Sequence, residues 1–82
     1  MYRIEFKKID LEAQDETIGE VVVQELFKDA VKTAYKIKGV IYQNGTEFES
    51  KERAEWFAKE FESLYSKWPD KYKVTTEVYR VS

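Results

Sequence analysis

From Ser50 to Trp68 the chain reads SKERAEWFAKEFESLYSKW, and this stretch limits what the rest can be. Ala54, Phe57, Ala58, Phe61, Leu64, Tyr65 and Trp68 follow one another at steps of three and one. That spacing lays them along one stripe of a helix. Glu52, Arg53, Glu55, Lys59, Glu60, Glu62 and Lys67 fall on the other side. Ser50 is placed to cap the helix at its start, and Pro69 ends it by disfavouring the α conformation at Trp68. A helix of this length is marginal alone in water. The remaining residues must therefore supply an apolar surface for the stripe.

Most of them alternate. Tyr2, Ile4 and Phe6 oppose Arg3, Glu5 and Lys7, the pattern of a half-buried strand. Ile9 and Leu11 change parity, which predicts a bulge or an end near Lys8. Residues 10–16, DLEAQDE, read as a loop. Thr17-Ile18-Gly19-Glu20 matches the T-x-x-E capping box, and apolar groups from Ile18 to Ala34 are separated by polar pairs. This rhythm predicts a first helix over 18–34, against the β preference of Val21-Val22-Val23. Tyr35 to Gln43 alternates again. Asn44-Gly45 then predicts a type I′ hairpin that pairs Ile41 with Phe48, with a short return strand over 46–49. Pro69-Asp70 makes a turn. Tyr72 to Val81 is a last strand, with Tyr72, Val74, Thr76 and Val78 inward and Lys73, Thr75, Glu77, Tyr79 and Val81 outward.

The expected fold is α+β, a two-layer sandwich ordered β-α-β-β-α-β with ferredoxin-like connectivity. Both helices would cover one face of a mostly antiparallel sheet, and the third strand would be short. Were 18–34 a strand, the fold would be a β-meander over a single helix. Its 82 residues make one domain, 1–82, and six Tyr, five Phe and two Trp suffice for a core.

Composition excludes several chemistries. With no Cys and no His there is no disulfide, no thiolate nucleophile, no Cys/His zinc site and no Ser-His-Asp triad. Net charge is −2, which gives no general pull toward nucleic acid or an anionic membrane. No apolar run approaches the roughly 20 residues that span a bilayer. Met1 leads straight into an alternating strand, so no leader is expected and the expected location is cytoplasmic.

The densest acidic set, Asp10, Glu12, Asp15, Glu16 and Glu20, lacks the spacing of a calcium loop and has no nucleophile beside it. Gly19, Gly39 and Gly45 are too isolated for a phosphate loop. Asn44 is accounted for by its turn, which leaves nothing to hydrolyse an acyl phosphate. No catalytic residue, cofactor or metal is therefore assigned, and no run of residues carries a family resemblance. The outward sheet face is expected to hold Arg3, Lys7, Lys36, Lys38 and Lys73 among Val40, Tyr42 and Tyr79, diluted by Glu5, Glu47, Glu49 and Glu77. Positive charge between aromatics suits single-stranded nucleic acid; clustered Val40, Tyr42, Tyr79 and Val81 suit a protein contact. Trp56, off the buried stripe, is a candidate anchor. The expectation is a small non-catalytic interaction domain that binds a protein partner or a second copy. Candidate contact residues are Lys36, Lys38, Val40, Tyr42, Trp56, Lys73 and Tyr79. The alternative is a nucleic-acid-binding sheet face; a small hydrolase is a distant third.

Overall fold

The structure, a computed structural model, describes residues 1–23, 31–37, 40–41 and 45–81. Among these residues five strands and one helix follow in the order β1 (Tyr2–Asp10), β2 (Asp15–Val23), β3 (Val31–Ile37), β4 (Val40–Ile41), α1 (Lys51–Tyr65) and β5 (Tyr72–Arg80). The sheet is ordered β4-β3-β2-β1-β5, and every pair is antiparallel. At its heart, β2, β1 and β5 form a three-stranded unit, and α1 packs on β1 and β5.

The two-helix ferredoxin-like layout is therefore overturned. Residues 15–23 are strand, not the start of a helix, and β3 occupies 31–37; residues 24–30 of the expected first helix lie outside the described residues. The reason is in the valines. Val21 is wholly buried and Val22 nearly so, and a β-branched side chain packs well on a pleated surface while losing χ1 freedom in a helix. The supposed capping box fails too, since Thr17 pairs with Lys8 and Glu20 with Glu5. A meander from β1 to β4, with β5 added beside β1, describes the chain better.

The acidic stretch is a tight turn between two long strands. Asp10 Oδ1 accepts from the N–H of Glu12 and Ala13, at 3.0 and 3.2 Å, and Gln14 takes the left-handed conformation at φ 57°. β1 does not bulge at Lys8; its register with β5 is unbroken from Tyr2↔Arg80 to Asp10↔Tyr72.

The Asn-Gly hairpin is also overturned. Ile41 pairs with Lys36, and Phe48 pairs with Tyr2; Asn44 lies outside the described residues. β1 and β2 pair only as far as Glu5↔Glu20, and residues 45–48 join the ends of the two strands beyond that point. Thr46 N–H donates to the Val21 carbonyl at 3.1 Å, and Val23 N–H donates to Thr46 Oγ1 at 2.7 Å. Tyr2 and Phe48 exchange two main-chain bonds of 2.8 Å. The wedge outcompetes a local turn because it satisfies main-chain groups of two strands and delivers Phe48 to the core.

Ser50 caps α1, its Oγ accepting from Arg53 N–H at 3.2 Å. The helix ends at Tyr65, three residues before the expected Trp68. There the Ser66 hydroxyl and N–H both bond to the Ser63 carbonyl. Ala54, Phe57, Ala58 and Phe61 bury themselves against Ile4, Phe6, Val21 and Phe48. Phe61 meets Phe6 at 4.8 Å between ring centres and Phe57 stacks on Phe48 at 5.2 Å. Leu64 and Trp68, expected in the stripe, are each 46% exposed. None of the described helices is long and apolar enough to cross a membrane.

Candidate interaction surface

Register fixes which side chains share a face. On β1, Ile4 and Phe6 point at the helix while Arg3, Glu5 and Lys7 point away; Glu20 lies across from Glu5, and Tyr79 across from Arg3. Among the described side chains this second face is not an open cationic plane. Arg3 pairs with Glu47 at 2.7 Å and Lys7 with Glu16 at 3.5 Å. Glu20 is buried, and its Oε1 accepts from the Tyr79 hydroxyl at 2.6 Å. Among the described residues Glu20 Oε2 and Arg3 Nε have no hydrogen-bond partner. Burial, and then the bond to Glu20, push the Tyr79 phenol up to about 12. The Glu47 carboxylate raises Arg3, holding it charged.

Of the expected contact residues, Lys36 and Val40 lie in β3 and β4, paired with Ile41 and Ile37. Lys38 and Tyr42 lie outside the described residues. Tyr79 is tied down by Glu20. Trp56 is 56% exposed, with its ring edge-on to Phe57. Lys73 stands exposed on β5, the strand that gathers the remaining features.

β5 is an edge strand. Its nine residues pair with β1 alone among the described residues, with no bulge and no proline. The direction of its main-chain groups follows from the ribbon's ends. Leu11 N–H donates to the Lys71 carbonyl at 2.8 Å, and Val81 N–H to the Met1 carbonyl at 2.9 Å. In an antiparallel pair, residues whose groups point at the partner alternate with residues whose groups point away. Lys73, Thr75, Glu77 and Tyr79 therefore bond to β1. The main-chain groups of Tyr72, Val74, Thr76, Val78 and Arg80 point to the free edge, where Tyr72 N–H is taken by the Trp68 carbonyl at 3.1 Å.

Between that edge and α1 run two shallow grooves. One, of about 460 Å³, is lined by Lys51, Glu55, Ala58, Lys59 and Glu62 on the helix and by Thr76, Glu77 and Val78 on the strand. The other, of about 450 Å³, continues from Glu62 past Tyr65 and Ser66 to Pro69, Tyr72, Lys73, Val74 and Leu11. Aromatic rings close this second end. Tyr65 and Trp68 both approach Tyr72 edge-on, at 5.7 and 6.4 Å, and the Lys8 ammonium lies over the Tyr65 and Tyr72 rings at 5.3 and 5.6 Å. Sequence reasoning missed this surface because strand order was unknown. The signal was present: Tyr72 to Arg80 is rich in β formers and holds no Pro or Gly.

Among the described residues no group of acidic side chains is placed to hold a metal ion. Comparison with protein-family models, with curated proteins and with solved structures finds no match to this chain.

Proposed function

We propose that this is a non-catalytic interaction domain that engages protein by strand addition at the β5 edge. One observation carries the reading: a nine-residue edge in unbroken register, with outward main-chain groups and a groove beside it for alternate side chains. Natural sheets blunt such edges with proline, bulges or very short strands, because an unpaired ladder templates another chain. β5 has no proline or bulge and is nine residues long; the charges it carries, Lys73, Glu77 and Arg80, are exposed. Strand addition draws affinity from main-chain hydrogen bonds and specificity from the pockets beside them. Exposed Trp68 at the groove's aromatic end supplies an anchor of the kind that dominates interface energetics. A nucleic-acid face has less support, since Arg3 and Lys7 already face carboxylates.

The test is Thr76→Pro. The Thr76 N–H points to the free edge, so proline there removes a donor that β1 does not use. Wild-type and variant proteins, both checked as folded by circular dichroism, are used to capture binding proteins from native extract, followed by mass spectrometry. Proteins retained by the wild type and lost by Thr76→Pro, second copies of this chain included, support the reading. Identical capture profiles sink it.

A further inference from the structure

Resting on that reading, we infer that the strand added to β5 is β5 of a second copy, related by a two-fold axis through Thr75. Charge complementarity selects the second copy. Lys73 and Glu77 are exposed on the face away from α1, and neither has an ion-pair partner among the described residues. Within the chain Glu77 lies across from another carboxylate, Glu5, an arrangement that costs stability. Two antiparallel copies of β5 centred on Thr75 place Lys73 of each opposite Glu77 of the other. These fall at non-hydrogen-bonded positions, where side chains approach closest. Val74 and Thr76 then exchange their main-chain bonds twice, using groups that point to the free edge. A one-step shift of the axis, to Thr76, is also allowed by hydrogen bonding, but it faces Lys73 with Tyr79 and Glu77 with Thr75. A two-step shift to Glu77 sets the glutamates against each other.

The helix charges are compatible with that axis. Tyr65 touches Tyr72 at 5.7 Å, so Thr75, about 10 Å further along the strand, lies level with a point about seven residues back along α1, near Ala58. Lys51, Glu55, Lys59 and Glu62 line the groove on either side of that point. Turned about an axis there, Lys51, which pairs with Glu55 at 3.9 Å within its own helix, comes within about 4.5 Å along the axis of the level of Glu62 of the second copy, and Glu55 within about 3 Å of the level of Lys59. α1 packs on β5 and β1, so the two helices face each other across the axis. The product is one continuous sheet with both helices on the same face.

The experiment is sedimentation velocity across a dilution series with wild type, Lys73→Glu, Glu77→Lys, the Lys73→Glu/Glu77→Lys double variant and Thr76→Pro. The dimer is expected for wild type, weakened about tenfold or more by either single charge reversal, restored by the double exchange and lost in Thr76→Pro. In each free chain the charge positions face Ile9 and Glu5, so reversal leaves the fold intact, and the exchange keeps the inference testable even if the proline variant unfolds. A monomeric wild type at the highest concentration overturns it. So does a dimer indifferent to both single reversals, or a double variant that stays dissociated. If the wild type is monomeric yet still captures proteins that Thr76→Pro loses, self-pairing falls and strand addition stands; if neither is seen, both fall.

Discussion

At the residue scale, Glu20 is the most constrained side chain. It is 2% exposed, it lies on the face away from the helix, and its Oε1 bonds to the Tyr79 hydroxyl. Tyr79→Phe leaves that oxygen without its donor, and a loss of about 1–3 kcal/mol is expected in urea melts at neutral pH. The pH dependence has a definite sign. Tyr79 rises from 10.0 to about 12 in the folded chain, so between those values the native state holds a proton that the unfolded state has lost. The Tyr79 contribution to stability is then fully present below about pH 10 and is lost as pH rises toward 12. Tyr79→Phe should lack that part of the alkaline decline, and parallel melts of wild type and variant from pH 8 to 11.5 check it by difference. Gly45 is the second constrained position. A Cβ there would meet Glu20 Cβ at 2.9 Å and the Val21 carbonyl at 3.1 Å. Gly45 is not in the left-handed region, so the cause is close approach rather than the turn that Asn44-Gly45 suggests. Gly45→Val should cost about 1–3 kcal/mol through overpacking, with Gly45→Ala less severe, as thermal denaturation will show.

At the element scale, α1 behaves as its spacing predicts through most of its length. Ala54, Phe57, Ala58 and Phe61 are all buried. Phe61→Ala should cost about 3–5 kcal/mol, since Phe61 is 1% exposed and packs on Phe6. Glu62→Ala should change monomer stability by less than about 0.5 kcal/mol. Equal effects in denaturant melts would contradict the packing. Ser50→Ala should cost about 1 kcal/mol by removing the acceptor for Arg53 N–H. The stripe could be read because every residue in it answers to one period. Residues 18–34 could not, because their grouping fits a helix while the side chains fit a strand. What decided between them was burial of Val21 against the helix, a contact with residues far along the chain.

At the scale of the whole molecule, the free edge dominates. Amide exchange should show the alternation directly. The N–H groups of Lys73, Thr75, Glu77 and Tyr79, bonded to β1, should exchange slowly. Those of Val74, Thr76 and Val78 should exchange fast at high dilution and become protected as concentration rises. Protection of both sets at all concentrations would mean that the edge is covered within a single chain.

The sequence by itself determined what depends on near neighbours. The helix with its Ser50 cap, though expected to run three residues further to Trp68, the start of β1, strand β5, the inward set Tyr72, Val74, Thr76 and Val78, and the exclusion of Cys and His chemistry were all legible. Each follows from side-chain period or from residue type. The expected contact residue Lys73 stands on the proposed edge, but its partner position on Glu77 could not be read before β5 was known to be outermost. Only the tertiary structure decided strand order, the place of residues 45–48 and the burial of Glu20. Those depend on pairings between distant segments. A wedge that satisfies the main chains of β1 and β2 and stacks Phe48 on Phe57 outweighs the local preference of Asn-Gly for a turn, and no local pattern encodes that competition.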